Sequence, residues 1–158
     1  MTRHRPVRAA GRGAIIRSVS IIESLGRIVT DYRLDAIYAF GSRAAEARQA
    51  VAEGTGLSME NRSDLDVGVL PEPDVHLDAP QRADLASALE DVFVPARVDL
   101  VVLPEASPFL ALDIVTGELL LARDPDREAE YQLFVLRRAG DLAPFERARR
   151  ALVLEGGR

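Results

Sequence analysis

Two aspartates, Asp64 and Asp66, lie two residues apart in a run, Leu65 to Leu70, that alternates like a strand. Leu65, Val67 and Val69 point one way. Asp64, Asp66 and Gly68 point the other, which spaces the two carboxylates about 6.6 Å along one face. A second strand pattern, Val98 to Leu103, sets Val98, Leu100 and Val102 on one side and Asp99 on the opposite one. If the two strands are neighbours, Asp99 sits about 4.8 Å sideways from the pair. Three converging carboxylates repel one another, by about 4 kcal/mol per pair at 4 Å and an effective dielectric of 20. Arginine or a divalent cation must offset that repulsion, because the chain contains no lysine. Hard oxygen donors without His or Cys suit Mg²⁺ or Mn²⁺. Two such ions bridged by carboxylates can hold a triphosphate and activate an attacking hydroxyl. The competing reading makes these strand-end aspartates that face water or pair with Arg62 or Arg97.

The second feature with chemical potential is Gly41-Ser42, placed between a short apolar run, Ala36-Ile37-Tyr38-Ala39-Phe40, and a helix-forming stretch that begins near Arg43. A strand-to-helix turn of this kind aims free backbone N–H groups and the positive helix end at an anion. The glycine lets the backbone approach a phosphate, and the serine hydroxyl adds a donor. Arg43, next in sequence, either reaches a phosphate too or stays solvated or paired with an aspartate. Gly-Ser alone says little, since turns use both residues for geometry. Its weight comes from the aspartates that follow it.

Composition narrows the alternatives. The 158 residues suit one domain, with 47% hydrophobic and 28% charged residues. The absence of cysteine removes disulfides, thiol nucleophiles and thiolate metal sites. The two histidines, His4 and His76, are too few and too far apart for a histidine cage; His76 reads as an exposed loop residue. A net charge of −5 argues against bulk binding to nucleic acid. All twenty basic residues are arginine, which excludes a Schiff base or a P-loop lysine and reads most simply as a GC-rich genome. With no apolar run of about 20 residues and no signal-peptide core, the expected location is the cytoplasm, away from membranes.

These groups have to be positioned by a single domain over residues 14–153, preceded by a basic arm at 1–13. The spacing predicts a helix over 14–32, the strand at 36–40, a helix over 43–51 and a loop around Glu53-Gly54-Thr55-Gly56. After the strand at 65–70, Pro71-Glu72-Pro73 breaks the chain. Asp78 caps a helix over 79–92, and the strand at 98–103 follows. Ser107-Pro108 starts a helix that ends at Thr116-Gly117, and Leu119-Leu120-Leu121 adds a short edge strand. Two last helices are predicted at 124–139 and 142–153. Arg147, Arg149 and Arg150 read as a solvated helix end, and Tyr131, Phe134 and Phe145 as core or interface. The order is that of an α/β (α+β) domain with a small mixed sheet flanked by helices.

Three segments together resemble the minimal nucleotidyltransferase (MNT) family of the DNA polymerase β-type superfamily. They are Phe40-Gly41-Ser42-Arg43-Ala44, Ser63-Asp64-Leu65-Asp66-Val67-Gly68-Val69 and Arg97-Val98-Asp99-Leu100-Val101. A weaker match at Gly117-Glu118-Leu119-Leu120 and the helix after Asp124-Pro125 extends the resemblance over about residues 15–150. The resemblance implies a nucleoside triphosphate held by Gly41 and Ser42, with Arg43 beside it, and Mg²⁺ coordinated by Asp64, Asp66 and Asp99. It gives Asp99 the further role of helping to deprotonate the acceptor hydroxyl. It also implies an antitoxin, in complex with a HEPN-type RNase toxin, that transfers AMP from ATP to a toxin tyrosine. Two other readings stay open: a catalytically silent antitoxin that acts by binding alone, and an aminoglycoside-type enzyme acting on a small molecule. Two departures stand out. Twenty-one residues, Arg43 to Ser63, separate Ser42 from Asp64, where the family has a much shorter connection, which marks an insertion at about 47–61. Glu46 also stands where many relatives have a second glycine. Doubling a loop costs only ~0.6 kcal/mol of closure entropy, so the insertion is compatible with an intact site and bears on access to it.

Overall fold

A computed structural model describes residues 20–155. The basic arm at 1–13 and the first residues of the helix expected from 14 lie outside that range. Helix α1 spans Ile21–Asp31 and begins at a capping box: the Ser20 hydroxyl accepts from the Glu23 N–H, and the Glu23 carboxylate accepts from the Ser20 N–H. Strand β1 (Leu34–Phe40) leads through a 3₁₀ turn, Gly41–Arg43, into α2 (Ala44–Glu53). Then follow β2 (Leu65–Pro71), α3 (Ala79–Val92) and β3 (Val98–Val102). Helix α4 (Pro108–Val115), β4 (Glu118–Ala122) and a long α5 (Pro125–Glu155) complete the chain.

The four strands form one mixed sheet in the order β3-β2-β1-β4. β1 runs antiparallel to both of its neighbours, while β2 and β3 are parallel and joined by α3. Each face is covered, and the alternation of the strands divides the core accordingly. Ile37, Ala39, Leu65, Val67 and Val69 pack with α1, α2 and α3. Ala36, Tyr38 and Leu70 pack with Ala111, Ile114 and Val115 of α4 and Val135 of α5. A central strand covered on both sides reads as a continuous apolar run, which is why β1 shows no polar alternation. Its one carboxylate, Asp35, is buried and held by Arg123 at 3.0 Å.

Asp78 caps α3 as expected, in a capping box with Gln81, and Ser107 caps α4 with Pro108 in the first turn. The expected edge strand is β4, hydrogen-bonded to β1. The two helices expected at 124–139 and 142–153 are instead one, α5, with Pro144 inside it. Proline removes only its own bond to the carbonyl of Gly140. Neither Gly140 nor Pro144 is in the core, so solvent can satisfy that carbonyl and the helix continues.

Candidate active site

The sheet brings the three aspartates to one end. Asp66 is the register partner of Asp99 across the parallel β2–β3 pair and of Phe40 across the antiparallel β1–β2 pair. The residue after Phe40 is Gly41, so the turn and the acidic cluster meet at the same corner. Asp64 sits just ahead of β2, and the Leu65 N–H donates to the Arg97 carbonyl at 2.7 Å, which ties the entrances of β2 and β3 together. Asp64, Asp99, Gly41 and Ser42 are exposed, and Asp66 is half-buried. Burial pushes the Asp66 carboxyl up, and the neighbouring Asp99 and Asp64 push it further.

Gly41 is required at this corner twice over. Its φ of 70° is a conformation that side chains disfavour, and a Cβ there would stand 2.5 Å from Asp66 Oδ2. The backbone of the turn therefore lies directly against the central carboxylate, with the exposed Ser42 beside it. Gly68, two residues along β2 from Asp66, likewise has no room for a Cβ, because Ile114 Cγ2 occupies that space. This contact seats α4 on the Asp66 face of the sheet.

The donor set fits a hard divalent cation: carboxylate oxygens only, mutually repelling, one of them with a raised pKa. Among the described residues no three acidic or histidine groups already close on one point at ion-binding distance. Arg97 leans towards Glu90, at 3.4 Å, rather than towards the aspartates. His76 lies away from the cluster, exposed, with Nδ1 3.9 Å from Glu105.

Arg43 has a different place from the phosphate contact expected of it. It is among the most deeply buried side chains, at 1% exposure. Its guanidinium donates to Glu46 at 2.9 and 3.0 Å, to the Ser63 carbonyl at 2.9 Å and to the Ser58 carbonyl at 3.2 Å. The Glu46 carboxylate also accepts from the Ser58 N–H, and these contacts hold it below the usual carboxylate range. The two departures read from the sequence thus belong together: Glu46 and Arg43 pin the extra segment. Half of that segment is helix, since α2 runs to Glu53 and ends on Gly54 at φ 68°. The rest is a loop that returns to Ser63. Sequence spacing gave no sign of this, because beyond Glu46 the partners of Arg43 are backbone carbonyls from 15 and 20 residues away.

A family model described as "Polymerase beta, Nucleotidyltransferase" matches residues 23–126, which include the turn and all three aspartates. The chain belongs to this nucleotidyltransferase family. Solved structures agree with the assignment. The chain is 26% identical to a chain of the AMPylated Shewanella oneidensis HEPN toxin in complex with its MNT antitoxin, with a TM-score of 0.59 over 85% of this chain and 96% of that one. A toxin–antitoxin complex with AMP-PNP is 25% identical, with a TM-score of 0.61 over 83% and 96% of the two chains. A mutant MntA–HpeT toxin–antitoxin complex is also 25% identical, with a TM-score of 0.61 over 82% and 95%. No curated protein matches in sequence. Among the described residues no helix is long and apolar enough to cross a membrane.

Proposed function

We propose that this nucleotidyltransferase moves AMP from ATP to a hydroxyl of a protein partner, a HEPN-type RNase toxin, and so acts as its antitoxin. The observation that carries the reading is the register match of Asp66 with Asp99 beside the Gly41-Ser42 turn. Similarity to chains from an AMPylated toxin complex and from an AMP-PNP complex supports the choice of nucleotide and acceptor.

In this reading the backbone of Gly41 and the hydroxyl of Ser42 hold the β- and γ-phosphates at the start of α2. Asp64, Asp66 and Asp99 would hold Mg²⁺, which supplies charge neutralisation and polarises the α-phosphate when bound. Asp99, exposed on the edge strand, takes the proton of the acceptor hydroxyl. The acceptor oxygen bonds to the α-phosphorus as the bond to the bridging oxygen breaks, and pyrophosphate departs with that electron pair. Arg43 is a positioning residue that fixes the loop beside the site and has no phosphate contact.

The test is to incubate the protein with its co-expressed toxin, Mg²⁺ and ATP labelled at the α-phosphate. The expected result is label on the toxin, lost in Asp64→Asn plus Asp66→Asn. No label with the unaltered protein, or full neutralisation of the toxin by the double variant, would overturn the catalytic reading in favour of inhibition by binding.

A further inference from the structure

Helix α5 carries a pattern that the domain itself uses only in part. Val135, Arg138, Leu142, Phe145, Arg149 and Leu152 alternate at spacings of three and four, which lines them along one stripe of the helix. The stripe begins in the core, where Val135 packs with Tyr38, Ala111 and Ile114. From Gly140 to Leu154 no residue is buried, so Leu142, Phe145 and Leu152 face solvent. Arg149 stands among them, 2.7 Å from Glu146 of its own helix and with its side chain 65% exposed.

This exposed stretch is complementary to itself. Turned end for end about Arg147, it sets Leu142 against Leu152 of a second copy and Phe145 against that copy's Arg149. Both pairings bring an a position against a d position, as two antiparallel helices packed knobs-into-holes require. The one cation of the stretch then lies over a ring face, a favourable cation–π contact, with its charged head still beside Glu146. A parallel pairing would instead set Arg149 against Arg149, two like charges. The same end-for-end turn brings Leu154 of the second copy opposite Gly140, so the overlap stops where burial in the domain begins. Chemical matching and the limits of the exposed stretch therefore give one register. We propose that this face of α5 pairs with the same face of a second copy of this chain, antiparallel and with two-fold symmetry. The overlap, residues 140–154, is about 22 Å long at ~1.5 Å per residue. A contact of that length is small, and its dissociation constant is expected on the order of 10 µM. At that affinity the pairing adds little to thermal stability in micromolar protein.

The test is sedimentation equilibrium of the whole protein over a concentration series up to about 100 µM, where such a dimer predominates. The unaltered protein should pass from monomer to dimer, and Asp66→Asn should do the same, since the pairing is separate from the transfer site. Phe145→Arg sets arginine against arginine at two places and should weaken association roughly a hundredfold, about tenfold for each lost anchor. Adding Arg149→Phe to Phe145→Arg exchanges the sides of the same contact and should restore the dimer, a rescue that only this register allows. The chain has no cysteine, so mild oxidation reads the direction of pairing. A mixture of Leu142→Cys and Leu152→Cys proteins should cross-link, while neither protein should do so alone. A monomer at every concentration, a dimer indifferent to Phe145→Arg, or cross-linking of either cysteine variant alone would overturn the pairing. So would a monomer that loses capture of its co-expressed toxin on Phe145→Arg, which would assign this face to the toxin. Because both positions are exposed, Phe145→Arg should leave the far-ultraviolet spectrum and the melt of the monomer unchanged, which separates lost pairing from lost folding.

Discussion

At the scale of single residues, the site is defined by two opposed demands: a glycine pressed against a carboxylate, and carboxylates pressed against one another. Gly41→Ala puts a methyl 2.5 Å from Asp66 Oδ2 at a φ of 70°. It is expected to destabilise the fold by about 1–2 kcal/mol from the backbone conformation alone and to abolish ATP binding, read by thermal melting and by calorimetric titration. Asp66 gives the opposite result. Its carboxyl is pushed up in the folded chain, so the native state holds that proton to higher pH than the unfolded one does. Stability therefore falls as pH rises from the ordinary carboxylate range through the raised value. Asp66→Asn removes that penalty. The variant should melt higher than the unaltered protein at neutral pH, with the advantage vanishing in acid, while losing all transfer. Mg²⁺ should raise the melting temperature of the unaltered protein and leave that of the variant nearly unmoved. A variant that melts lower than the parent at neutral pH would show that Asp66 is a structural carboxylate.

At the scale of elements, the connection between α2 and β2 is ordered by one buried cation. Arg43→Ala removes four hydrogen-bonding contacts and leaves the carbonyls of Ser58 and Ser63 without their donor. The expected loss is about 1–3 kcal/mol, the range for leaving buried acceptors without their donor, since the Glu46 carboxylate left behind can still reach solvent. Native-state hydrogen exchange should show the amide of Ser58 losing protection before the strands do. Arg43→Lys should recover only part of the loss, because an ammonium cannot reproduce the planar fork that spans Glu46 and two carbonyls. The elements themselves were largely legible. Asp78 ahead of the 79–92 helix, Ser107 with Pro108, and the alternation of Leu65 to Leu70 are local signals, and the structure honours each of them. The neighbouring of β2 and β3 was legible as a condition for the aspartates to converge. What could not be read is non-local. Arg43 reaches the Ser58 and Ser63 carbonyls only after the loop has folded back, and Tyr38 donates to the buried Glu128 of α5 from 90 positions away. Pro144 misled for the converse reason: a strong local breaker acts only where its missing hydrogen bond cannot be replaced by solvent.

At the scale of the whole molecule, the burial of α5 is uneven, and this separates folding from everything the helix end does. Glu128, Val135 and Ala139 are the buried residues between Pro125 and Leu154, and between Gly140 and Leu154 none is buried. In that stretch Glu146 bonds to Arg149 and Arg150, which holds its carboxyl at about 2 and confirms the solvated character expected of the arginine cluster. Such exposed i,i+3 and i,i+4 pairs contribute little to stability, because solvent screens them. Helical stability in proteins comes mainly from packing an apolar face, and isolated segments of this length are marginal in water. The last turns of α5 are thus carried by the packed first half rather than supporting it. Ending the chain after Gly140 should remove helical signal in the far-ultraviolet spectrum without shifting the melting temperature by more than about 2 °C, which corresponds to about 1 kcal/mol or less in a domain of this size. The aspartate site should retain its Mg²⁺-dependent rise in melting temperature. A large drop in melting temperature on truncation would mean that Phe145 and Leu152, exposed at 71% and 70%, are covered within the molecule itself.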